Sequence, residues 1–164
     1  MNQNELLINT LNKLVCTNSD RINGYEKAIE IVEKWENFGL EKVFKQHAAL
    51  SSGYAAHWKQ IMCSLGSEPV TDPSIHGEVF RGWVNFTTTF NGHTSKSLLH
   101  FLARGEKAAL ENYKEILRNA AHLPDYIQNE VQHQKTKIYN AQVSIVTMAI
   151  YVTTFERIHS HSAP

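Results

Sequence analysis

Charge of one sign, paired cysteines and long apolar runs are all missing from this 164-residue chain. Sixteen Lys and Arg balance sixteen Asp and Glu, so no basic face is demanded. Neither nucleic acid nor an anionic membrane is therefore an expected partner. Cys16 and Cys63 are the only cysteines, too far apart for a close metal pair and too few for a secreted disulfide framework. The opening Met-Asn-Gln-Asn-Glu lacks the basic-then-apolar pattern of a signal peptide. The longest apolar run, Ile145 to Val152, is broken by Thr147 and is shorter than the roughly 20 residues that a bilayer requires. A cytoplasmic protein with no membrane partner is expected. No strand-type alternation persists, no internal repeat is present, and neither a nucleophile elbow nor a phosphate-binding loop occurs.

What is present is helical. With 42% hydrophobic and 20% charged residues, the chain can build one cored domain, expected over residues 1–158 with a flexible tail over 159–164. Residues 95–120 read as one long amphipathic helix capped by Thr94, with Leu98, Leu102, Gly105, Ala109, Tyr113, Ile116 and Ala120 in one stripe. Glu106 falls inside that stripe, where a carboxylate needs a partner, water or a proton. Residues 4–36 give a first helix, with Asn2 and Glu5 as a capping box and Gly39 as its C-cap. Residues 40–65 give a second, on the stripe Phe44, Ala48, Ser51, Ala55, Trp58, Met62 and Leu65, ended by Gly66. The last helix begins at Pro124 and buries Ile127, Val131, Gln134, Ile138, Ala141, Ile145 and Met148.

Two links are only a few residues long, which makes two antiparallel hairpins. Between them lies 67–94, with Pro-rich loop and a short helix over 75–90 carrying Val79, Trp83, Phe86 and Phe90. That length can climb the whole bundle and start the third long helix beside the start of the second. The expected fold is all-α: a ferritin-like four-helix bundle with one long crossover.

Leu11-Asn12-Lys13-Leu14-Val15, Asn18, Asp20 and Gly24-Tyr25, followed by Arg81-Gly82-Trp83, Arg104-Gly105-Glu106 and Tyr113, carry a family signature. Over roughly residues 5–143 the chain resembles a bacterial family of uncharacterised, ferritin-like four-helix-bundle proteins, a domain-of-unknown-function family. The resemblance implies the bundle and a small intracellular bacterial protein. It implies no activity.

A ferritin-type di-metal centre takes Glu from two helices and Glu-x-x-His from the other two. Glu26 and Glu106 are candidates from the first and third helices, with His47 on the second, and iron, manganese or zinc would suit such donors. The second helix has no Glu three residues before a His, and Glu130-Val131-Gln132-His133 lies away from the level of Glu106. A polar core layer of Asn18, Glu26, Ser51, Glu106, Gln134 and Gln142 that fixes helix register is therefore preferred to a metal centre, and no cofactor is predicted. Gly24 and Gly53, both facing away from the core, would admit a further helix, and the all-round apolar end of the last helix calls for a second subunit. The expected function is a non-enzymatic, self-associating homodimer acting as a protein-interaction, structural or stress-related protein. A metal-binding or oxidoreductase bundle with an incomplete carboxylate and His site, and a binder of small apolar ligands, are the alternatives.

Overall fold

The computed structural model describes the backbone of residues 2–69 and 94–160, with side chains as far as 155. Four long helices occur there: α1 (Gln3–Lys34), α2 (Phe38–Ser64), α3 (Ser95–Arg118) and α4 (Asp125–Ser160). No strand occurs among the described residues. A single turn of 3-10 helix, Ala120–His122, links α3 to α4. The expected short helix over 75–90 and its aromatic residues lie outside the described residues.

Local chemistry sets the helix ends. The Asn2 side chain accepts from the Glu5 amide at 2.9 Å and the Glu5 carboxylate accepts from the Asn2 amide at 2.9 Å, completing the expected capping box. Thr94 and Ser97 form a second one at the start of α3. The first turn differs from expectation. Gly39 is not the C-cap of α1; it lies inside the first turn of α2, whose N-cap is Asn37. The residue that reverses the chain is Glu36, at φ 55°. Its amide donates to Glu33 O at 3.1 Å and the Asn37 amide to Val32 O at 3.0 Å, the pair of bonds of a Schellman motif. Gly66 plays the same part after α2, at φ 73°, with Gly66 N bonded to Cys63 O and Ser67 N to Met62 O, both at 3.0 Å. The last helix starts at Asp125, with Pro124 O accepting from Ile127 and Gln128. It continues through Ser160, past the expected start of the tail.

The buried faces repeat with spacings of three and four, the period that lets neighbouring helices interlock at small crossing angles. On α1 the series is Leu7, Leu11, Leu14, Asn18, Arg21, Tyr25, Ala28 and Val32. On α4 it is Ile127, Val131, Gln134, Ile138, Ala141, Ile145 and Ala149, with Met148 only half-buried. Two apolar clusters occupy the two ends. One joins Leu7, Leu11 and Leu14 to Trp58, Met62, Tyr113, Ile116, Ile127 and Val131. The other joins Tyr25, Ala28 and Val32 to Leu40, Phe44, Leu98, Leu102, Ile145 and Ala149. The start of α2 and the start of α3 thus lie at one end, and their ends at the other. Helices α2 and α3 are parallel, and both are antiparallel to α1 and α4. Residues 69 and 94 consequently sit at opposite ends of the bundle, as a full-length crossover requires.

Candidate functional site

The two apolar clusters leave a polar layer between them. Among the described residues the buried polar side chains are Thr17, Asn18, Arg21, Ser51, Glu106 and Gln134. Glu106 is 2% exposed and faces Arg21, 5% exposed, from across the interior. The guanidinium grips the carboxylate with two nitrogens, Nε to Oε2 at 3.0 Å and Nη2 to Oε1 at 2.9 Å. This fork-on-fork geometry is the strongest arrangement open to the pair. The Tyr25 hydroxyl donates a third, short hydrogen bond to Glu106 Oε1.

From this pair a hydrogen-bonded chain crosses the molecule. Arg21 Nη1 reaches Asn18 Oδ1 at 3.4 Å, and Asn18 Nδ2 donates to Tyr113 Oη at 2.7 Å. Tyr113 Oη donates in turn to Gln134 Oε1 at 2.7 Å, which also accepts from Trp58 Nε1 at 2.9 Å. Gln134 Nε2 donates to the half-buried Glu130 at 2.8 Å. Every long helix contributes at least one member, so a slip of any helix would strand buried polar atoms.

The electrostatics follow from burial. Desolvation opposes the charge on Arg21, but the Glu106 carboxylate beside it raises its pKa above the ordinary value. Burial, reinforced by the neighbouring Glu106 charge, lifts the Tyr25 phenol well above its usual range. Burial likewise pushes Tyr113 up to about 12. Both phenols stay protonated and act as donors. His47 stands beside this group, its ring 5.3 Å from that of Tyr25. Its Nε2 is buried without a hydrogen-bond partner. Burial lowers its pKa, the nearby Glu106 opposes that shift and Arg21 adds to it, so the ring is held neutral.

The three sequence candidates for a metal therefore separate. Glu106 and His47 lie near the same Tyr25, but the Glu26 side chain is exposed, not in the polar layer. One residue changes the face: Tyr25 takes the inward position and turns Glu26 out by about 100°. Gln142 is half-buried at the edge of the layer. The Glu130-x-x-His133 pair is at the rim, with side chains 35% and 59% exposed. Among the described residues no three of His, Cys, Asp and Glu gather in one place. A dinuclear centre of the ferritin kind, which needs four carboxylates and two imidazoles, does not fit this donor set.

Arg21 is the residue that the sequence stripe passed over, because Ile22 beside it is apolar. The signal was the unbroken 4-3-4 phase through Leu14, Asn18, Arg21 and Tyr25. Of the two glycines expected to admit another helix, Gly24 is buried and Gly53 faces open space. Cys16 and Cys63 are both free thiols, and burial, with Asp20 adding to it, raises the pKa of Cys16. His57, His100 and His133 are exposed.

An up-down-down-up bundle closed by a central ion pair, with no dinuclear donor set among the described residues, defines a ferritin-like four-helix protein. The chain belongs to the family of the Domain of unknown function DUF2383, whose model matches residues 7–119. No curated protein is similar enough to match. Among solved structures it is similar to the bacterioferritin-related protein of Bacteroides fragilis, described as a dodecameric thioferritin. That likeness has a TM-score of 0.71 at 19% identity and covers 100% of this chain and 94% of the other. At that identity the likeness is one of fold.

Proposed function

We propose that this protein is a non-enzymatic, self-associating bundle of the bacterial cytoplasm that works through its outer surface, as a structural or protein-interaction component. The observation that carries this reading is the Arg21–Glu106 pair. Glu106, the one buried carboxylate among the described residues, is already bound on both oxygens by a guanidinium and on one by a phenol. A cation at that level would have to displace a buried arginine. The pair instead supports a register-fixing role, the best-attested use of buried ionic groups in bundles. Self-association is supported by the exposed apolar face of α4 and by the dodecameric state of the similar Bacteroides fragilis protein.

A second reading rests on one observation, the unpartnered Nε2 of His47 beside the Tyr25–Glu106 contact. With Glu106 it would supply two donors to a single iron, manganese or zinc ion. Elemental analysis of untagged protein separates the two. The structural reading expects metal far below one ion per chain, unchanged in Glu106→Ala. Near-stoichiometric metal that is lost in Glu106→Ala and in His47→Ala would replace it with the metal-binding reading.

A further inference from the structure

The outer side of α4 carries Tyr139, Val143, Val146 and Ile150, at spacings of four, three and four residues and 53%, 45%, 39% and 61% exposed. Tyr151 and Phe155, whose rings stack with centroids 6.5 Å apart, lie about 100° or more further round the helix, off this row. The row has the spacing of a coiled-coil seam, and it repeats on the outside of α4 the period of its inner face. Isolated exposed apolar side chains need no explanation, but a contiguous row on one helix face does.

We propose that this row is the surface on which a second copy of the chain docks, seam against seam about a two-fold axis. The proposal deepens the self-association reading and rests on it. Two observations select the occupant. First, no Asp, Glu, Lys, Arg or His occurs between Lys137 and Glu156, so nothing here attracts a charged partner, whereas the seam is complementary to itself. Second, three threonine hydroxyls of this stretch are already satisfied within the helix. Thr147 donates to Val143 O at 2.8 Å, Thr153 to Ala149 O at 2.8 Å and Thr154 to Ile150 O at 2.9 Å. Covering those hydroxyls with apolar surface leaves no donor stranded.

A bilayer is the competing apolar medium, and by length and composition α4 could cross one. The inner face of the same stretch argues against it. Ile138, Ala141, Ile145 and Ala149 are at most 3% exposed and packed among the other helices, so insertion of α4 would open the core.

The test compares the full chain with Val146→Glu/Ile150→Glu by sedimentation equilibrium at micromolar concentration. Circular dichroism reports whether the variant keeps its helices, and Phe38→Glu, at an exposed site on α2, serves as control. The expected result is an assembled wild type and control, and a variant of unchanged helicity whose dissociation constant rises at least thirtyfold. A second reading avoids carboxylates in the seam: Val146→Cys in a Cys63→Ser background should form a disulfide-linked dimer on mild oxidation, and Ser52→Cys in that background should not. An assembled Glu variant with no cross-link at 146 overturns the seam and leaves self-association standing. A monomeric wild type at tens of micromolar overturns both. Flotation of the wild-type chain with phosphatidylcholine vesicles, abolished in the Glu variant, assigns the face to lipid and overturns the proposal.

Discussion

At the scale of single residues, the central fact is that one buried cation answers one buried anion. Removing either alone leaves the other without a counter-charge. Arg21→Met should destabilise the fold by about 3–5 kcal/mol in urea unfolding. The double variant Arg21→Met/Glu106→Leu should recover part of that loss, because two apolar side chains need no counter-charge, the remainder being the buried Tyr25 hydroxyl left without its acceptor. A double variant as unstable as Arg21→Met would mean that the pair contributes through packing and not charge. Asp20 makes a quieter prediction. Burial pushes its carboxyl up to about 6, from an ordinary value of 3.8. Its ionised form therefore costs stability fully above about pH 6, less as the pH falls, and nothing below the ordinary value. Asp20→Asn should gain about 1 kcal/mol at pH 7.5, after discounting for solvent screening, and much less at pH 4.5. Thermal melts at the two values check the sign. Sequence alone placed Asn18, Ser51, Glu106 and Gln134 inside correctly. It missed Arg21 and misplaced Glu26, because a search for apolar stripes has no reason to put a guanidinium on the buried face until its partner is seen.

At the scale of elements, the helices were legible because their ends are written in side chains. Asn2, Thr94 and Gly66 each do what their chemistry allows. The turn between α1 and α2 was not legible, because the left-handed position is filled by Glu36 while a glycine stands three residues later. A non-glycine residue there carries a steric cost of about 1 kcal/mol. Glu36→Gly should therefore stabilise the protein by up to about 1 kcal/mol, read as a higher urea midpoint with an unchanged slope. A loss of stability would mean that the exposed Glu36 side chain contributes something beyond its backbone.

For the whole molecule, topology followed from arithmetic on link lengths. Two short links and one long one leave few arrangements of four rods, and the parallel pairing of α2 and α3 is the arrangement found. Function was less legible, since the bundle is shared by many chemistries and only the interior side chains choose among them. If the folded chain self-associates, mass action ties stability to amount. The melting temperature of the wild type should rise by several degrees between 1 and 100 micromolar, and that of Val146→Glu/Ile150→Glu should not.

The parallel run of α2 and α3 also orders events in time. Each hairpin closes over a handful of residues, whereas Arg21 and Glu106, 85 positions apart in the chain, meet only after a long loop has been closed. The hairpins should thus precede their union on the way to the native state, and the ion pair should form late. Replacing Arg21 should accelerate escape from the native basin far more than it slows arrival there, so a stopped-flow chevron would move on its unfolding limb.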